Sequence, residues 1–217
     1  MKNKYNMTVE QNIFLAKRNI IDYIWKSANL EGVNITFPET QQIYEKGRVS
    51  GLMVDDILVV NNLKHGWDYV LSEIGQSMTL ETLCNIQREV ARDQALEIGV
   101  LRSGTVGISG TEYIPPIPNE AKVKAELSQI LQEVNSTERA IDLMLWGMRS
   151  QLFWDGNKRT SMLAANKIMI ENGCGCIAVK QDNMQEFNSL LSEYYTTGNK
   201  DKIKDFIYDK CIDGVEF

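Results

Sequence analysis

Along the first thirty residues, apolar side chains recur at steps of three and four: Val9, Ile13, Ala16, Ile20 and Ile24. That spacing lays them on one face of a helix over residues 8–27, with Thr8 as its N-cap and Gly32, after "SANLEGVN", as its stop. Pro38 suits the first position of a short helix, "PETQQIYEKG", closed by Gly47. A longer run opened by Asp55 turns Ile57, Val60, Leu63, Trp67 and Val70 inward. The next, "TLETLCNIQREVARDQ", has Thr79 and Thr82 near its start and Leu80, Leu83, Ile86 and Val90 inside. Then the pattern changes. "IGVLRSGTVGISGTEYIPP" is rich in glycine and β-branched residues and ends in Pro115-Pro116, which predicts a hairpin. The helical period returns over 118–134, 136–152 and 157–172. "CGCIAV" reads as a short turn or strand, and helices near 181–195 and 199–212 close the chain.

This order predicts a mainly α fold with one β-hairpin inserted about halfway. Residues 1–50 read as a small N-terminal helical module, and 51–217 as the main domain. A chain of 217 residues, 43% hydrophobic and 24% charged, buries a sizeable core. The net charge of −6 argues against general nucleic-acid binding, which needs a basic face, yet leaves room for a small anion pocket built from a few local donors. Cys84, Cys174, Cys176 and Cys211 have no zinc-ligand spacing and read as inert thiols of a reducing compartment. No apolar run approaches the roughly 18 residues of a membrane span, and "MKNKYNMTVEQ" lacks a signal core. The expectation is a cytoplasmic protein with no membrane association.

The chemistry gathers at "SQLFWDGNKRTSML", residues 150–163. Asp155-Gly156-Asn157 reverses the chain between two apolar helices and opens the second. Free amides at a helix start, at the positive end of its dipole, favour an anion. Gly156 permits close backbone approach, Lys158 and Arg159 add charge, and Asp155 offers a hard oxygen for magnesium beside a polyphosphate. Taken alone, these five residues equally describe an ordinary turn with a solvated Lys-Arg pair. The single histidine, His65, sits in "NNLKHGWDYV", where a helix-surface position is the plain reading.

The longer stretch "QLFWDGNKRTSM" resembles the signature of the Fic/Doc (Fido) family, His-x-Phe-x-Asp-Gly-Asn-(Gly or Lys)-Arg-x-x-Arg. Phe153, Asp155, Gly156, Asn157, Lys158 and Arg159 match in register. The upstream segment "LRSGTVGISGTEYIPP" looks like the family's flap, and "SANLEG", Ser27 to Gly32, resembles its inhibitory pattern (Ser or Thr)-x-x-x-Glu-(Gly or Asn). The resemblance implies a helical domain that moves AMP from ATP to a protein hydroxyl, or transfers a related phosphate-containing group. It implies Asp155 as the magnesium ligand and Gly156, Asn157, Lys158 and Arg159 as the phosphate cradle. Residues 101–113 become the edge on which a target protein docks as an added strand, and Ser27 and Glu31 are regulatory.

Two positions depart from the pattern. The histidine slot, four residues before Asp155, holds Gln151. A neutral amide cannot take a proton near pH 7, and losing a general base typically slows a reaction about 10²- to 10⁴-fold. The second arginine of the signature, which Glu31 would pair with, is Met162; Glu31 is left with Arg159 or Lys158, or with ending a helix. The reading is an adenylyltransferase fold that binds ATP and Mg²⁺ with AMP transfer weak, altered or absent. The alternative is a non-catalytic module that binds a nucleotide, a phosphate or a partner.

Overall fold

A computed structural model describes residues 1–216. Among them run ten α-helices: α1 Val9–Arg18, α2 Ile20–Leu30, α3 Phe37–Lys46, α4 Val54–Ser72, α5 Leu80–Val90, α6 Glu120–Leu131, α7 Ser136–Ser150, α8 Asn157–Glu171, α9 Met184–Thr197 and α10 Asp201–Lys210. Two short strands, β1 Cys176–Ile177 and β2 Ile212–Asp213, pair antiparallel. The fold is mainly α-helical, with a small antiparallel β element.

Local chemistry sets the helix starts. Thr8 accepts from the Gln11 amide while the Gln11 side chain accepts from the Thr8 N–H, and Thr36 with Glu39 repeats the arrangement. Thr79 and Thr82 do the same at α5. Each such box satisfies donors that would otherwise be orphaned at a helix start.

Helix α8 is the centre of the domain. All of its positions from Arg159 to Ile170 are buried, with α7 lying along it and α1, α4 and α5 packed on its other sides. A helix wrapped on every side needs partners for its polar residues. Asn166 exchanges two hydrogen bonds with the Ile177 backbone, and the Lys167 ammonium donates to Gln76 O and Glu171. From the N-terminal segment, Ile20, Tyr23, Ile24, Ala28 and Ile43 enter the same buried cluster as residues of α4, α5, α7 and α8. Among the described residues no helix is long and apolar enough to cross a membrane.

Three local differences from the sequence reading have physical causes. The helix expected over 8–27 is two helices, because Asn19 leaves helical geometry (φ −105°, ψ 10°), and the second continues to Leu30 before Gly32 turns left-handed at φ +88°. Helix α5 stops at Val90; residues 91–99 form turns, with Asp93 at φ +60° and the Arg92 carbonyl held by Asn62 Nδ2 at 2.7 Å. The segment expected as a hairpin follows a hairpin's path, running extended and reversing where Thr111 N–H meets Ile108 O at 3.3 Å, with Gly110 at φ +82°. Among the described residues its two arms share no ladder hydrogen bonds, and the ladder lies instead between β1 and β2.

Candidate functional site

The turn between α7 and α8 is locked by its own side chains. Helix α7 ends at Gln151, whose backbone is left-handed (φ 45°, ψ 60°). The Asn157 side chain then bridges the turn: Oδ1 accepts from Phe153 N at 2.9 Å and Nδ2 donates to Phe153 O at 2.8 Å. Asp155 Oδ1 accepts from Gly156 N at 2.6 Å, and Gly156 takes φ +74° as the residue before α8. Among the described residues no side chain caps α8. Its first amides and the positive end of its dipole therefore remain free to meet an anion.

That helix start opens on a cleft of about 470 Å³. Asp155, Asn157 and Lys158 line one wall, Leu30, Glu31 and Gly32 another, the loop tip Gly107–Ser109 a third, and Asn188, Ser192 and Tyr195 of α9 a fourth. The structure thus brings together four stretches far apart in sequence: the motif turn, the end of α2, the loop between α5 and α6, and α9. Burial pushes the Tyr195 hydroxyl above its usual range, with the Glu31 carboxylate adding to the effect, so this phenol stays protonated at the cleft wall.

Glu31 caps α2 and faces the turn. Its Oε1 stands 3.9 Å from Lys158 Nζ and its Oε2 4.0 Å from Arg159 Nε. Lys158 Nζ also donates to Leu30 O at 3.0 Å. Of the two pairings open to Glu31 once Met162 replaces arginine, the geometry realises both, each at long range. Ser27 contributes its carbonyl, which accepts from Glu31 N–H at 3.2 Å, and does not line the cleft. Met162 itself is buried in the core.

Arg159 is 3% exposed. One terminal nitrogen donates to Val90 O at 2.6 Å and Gln94 Oε1 at 2.7 Å, and the other stands 3.5 Å from Asp155 Oδ1. Its Nε is buried without a hydrogen-bond partner. Asp155, by contrast, keeps its side chain 47% exposed at the lip of the cleft.

Position 151 carries no proton acceptor. Gln151 Nε2 donates to Met148 O at 2.6 Å and its Oε1 accepts from Asn157 Nδ2 at 3.1 Å, so both ends of the amide serve the fold. His65 lies within α4, outside the cleft lining.

Several residues of the site went unread in the sequence. Gln87, buried on α5, donates to Asp155 O at 3.1 Å and accepts from Gly99 N at 2.5 Å. Its signal was available, because it falls between Leu83 and Val90 on the inward face, where a polar residue needs a partner. Arg102 donates from Nε to Gln151 O at 2.6 Å. Trp154 Nε1 donates to Glu97 at 3.0 Å and its ring packs where a Cβ on Gly104 would stand. The α9 residues gave no signal, since only tertiary packing carries them to the cleft.

Asp155 fits what magnesium asks of a protein. Among the described residues no group of three or more His, Cys, Asp or Glu could hold a metal unaided. Magnesium is commonly held by one or two carboxylates plus substrate phosphates and water, and one exposed carboxylate beside an anion-receptive helix start meets that description.

Residues 77–169 match the sequence model of the Fic/DOC family. The protein adenylyltransferase Fic of Culex quinquefasciatus is 24% identical over 205 residues, covering 88% of this chain and 39% of that protein. Its counterpart from Nematostella vectensis is 26% identical over 202 residues, covering 88% and 46%. The chain therefore spans less than half the length of these relatives. Among solved structures, Fic-1 from C. elegans superposes with a TM-score of 0.74 at 18% identity, over 90% of this chain and 61% of that one, a likeness of fold.

Proposed function

From a chain that belongs to the Fic/Doc family, we propose a nucleotide-binding function: ATP, with Mg²⁺, seated by its phosphates on the start of α8, with transfer of AMP to protein hydroxyls weak or absent. The observation that carries the reading is the uncapped start of α8, which opens on the 470 Å³ cleft beside Lys158 and Asp155. In this reading Gly156, Asn157, Lys158 and Arg159 form the cradle and Asp155 holds the ion. Magnesium when bound supplies positive charge to the phosphates. Residues 1–50 act as the module that presents Ser27 to Gly32 to the turn, and the loop 101–113 is the docking edge for a protein.

The weakness of transfer follows from position 151. A hydroxyl nucleophile needs its proton removed, and the Gln151 amide has no titratable site and is already bonded at both ends. Lys158 is a poor substitute, because an ammonium held against phosphate stays protonated. These features favour the second reading as well, a module that binds a nucleotide or a partner and transfers nothing.

Calorimetry with ATP and Mg²⁺ tests the binding, and Asp155→Ala and Arg159→Ala should weaken it. Labelled ATP with a cell lysate tests transfer, comparing the native chain with Gln151→His. Label appearing only with Gln151→His supports a site that lost its base. Strong transfer by the native chain would eliminate the non-catalytic reading. No binding of any nucleotide would remove the first reading and leave only the partner-binding form of the second.

A further inference from the structure

One side chain outside the motif ties the loop beside the cleft to the residues that precede the turn. Arg102 is 1% exposed, and its hydrogen-bond partners are main-chain carbonyls. Nε donates to Gln151 O at 2.6 Å, one terminal nitrogen donates to Gly104 O, and the other reaches Pro115 O at 3.2 Å and Pro116 O at 2.7 Å. Its own backbone N–H donates to Leu152 O at 3.0 Å.

Taking a guanidinium out of water is costly unless it is hydrogen-bonded throughout, and here a rigid fork of donors meets four fixed oxygens. Those oxygens belong to two places. Gly104, Pro115 and Pro116 are the two ends of the loop whose tip, Gly107–Ser109, lines the cleft. Gln151 is the residue at the proposed reaction position, in a left-handed backbone that is unfavourable for a non-glycine residue. The loop arms lack a ladder of their own, so this fork replaces it.

We propose that Arg102 is a positioning residue of this site: it clasps both ends of the 103–116 loop to the carbonyl of residue 151. The clasp keeps the loop tip and the turn in one relative placement across the cleft. Arg102 acts through the loop and Gln151 rather than on a ligand. Its effect on affinity rests on the nucleotide-binding reading; its effect on the loop does not.

The test uses the full chain with Cys84→Ser, which removes the half-buried thiol, and Thr105→Cys carrying a fluorescent dye on the loop. Time-resolved anisotropy reads the dye's local freedom, and titration of ATP with Mg²⁺ reads affinity. Arg102→Ala and Arg102→Lys are compared with Lys167→Met, which removes a buried cation from the far end of α8. In both Arg102 variants the dye's local freedom should rise about twofold while Lys167→Met leaves it unchanged, because only the former release the loop. Lysine should not rescue, since one ammonium cannot span the positions of a fork. ATP affinity should fall about tenfold with either Arg102 variant, the loss typical when a supporting contact is removed.

Dye mobility unchanged in Arg102→Lys, or raised equally in Lys167→Met, would overturn the proposal. If Arg102→Ala does not fold, Arg102→Lys carries the comparison. Should no variant nor the parent bind ATP, the nucleotide reading falls while loop mobility still decides the role of Arg102.

Discussion

Replacing Gly156 with alanine tests the geometry of the turn without reference to any ligand. Two costs add. The backbone there sits at φ +74°, and a left-handed conformation disfavours a residue with a Cβ by about 1 kcal/mol. The new methyl would also stand 3.2 Å from Ala91 Cβ and 3.3 Å from Val90 Cγ2. Both neighbours are fully buried, and Ala91 cannot rotate its Cβ away, so relief requires a backbone shift costing about 1–3 kcal/mol. The sum is about 2–4 kcal/mol. Gly32 supplies the control: its φ is +88°, but nothing lies within 4 Å of its Cβ position, so Gly32→Ala meets only the backbone term, about 1 kcal/mol. For a domain of this size 1 kcal/mol moves the melting temperature about 2–4 °C. Gly156→Ala should therefore lower Tm by about 5–15 °C, and Gly32→Ala by about 2–4 °C. Urea titration should show both midpoints falling with unchanged slopes. Equal shifts in the two variants, or a smaller one at Gly156, would refute the claim that the α5 end and the start of α8 are packed against each other at the turn.

Two further outcomes follow from charges near and far from the cleft. Glu31→Ala removes the carboxylate that faces Lys158 and Arg159 at 3.9 and 4.0 Å, and calorimetry should find ATP bound about tenfold tighter, a gain of about 1.4 kcal/mol; an unchanged Kd would leave Glu31 as a helix cap and nothing more. At the other end of α7, the hydrogen bond from Lys204 holds the Glu138 carboxyl below its ordinary value of 4.5. Because the folded-state value is depressed, its contribution is fully present above about pH 4.5 and is lost as the pH falls through the lowered value. Glu138→Gln should accordingly show a flatter acid limb of stability against pH than the parent, and identical limbs would count against the pair.

What the sequence disclosed and what it withheld divide by the range of the interaction. Helix α5 could be read because its apolar period and its Thr79–Thr82 box are local, and the turn at 155–157 because its chemistry lies in consecutive residues. The ladder between β1 and β2 could not, since two-residue strands carry no period and their partners meet only through folding. The 101–116 segment misled in a more instructive way. Its β-branched and glycine composition describes a chain that runs out and back, but composition does not say what holds the arms, and here an arginine side chain does so.

The same division separates the fold at position 151 from the chemistry proposed there. The backbone of residue 151 is fixed by contacts that no side chain at 151 makes: its N–H donates to Gly147 O at 3.3 Å, and its carbonyl accepts from Arg102. Gln151→His is therefore expected to leave the backbone course of the turn and of α8 in place. The Gln151 amide then bonds Met148 O and Asn157 Nδ2, which leaves no polar atom of that amide unsatisfied at the end of α7. Under the proposed function, a stable fold is no argument for transfer, which has to be argued from the side chain at 151.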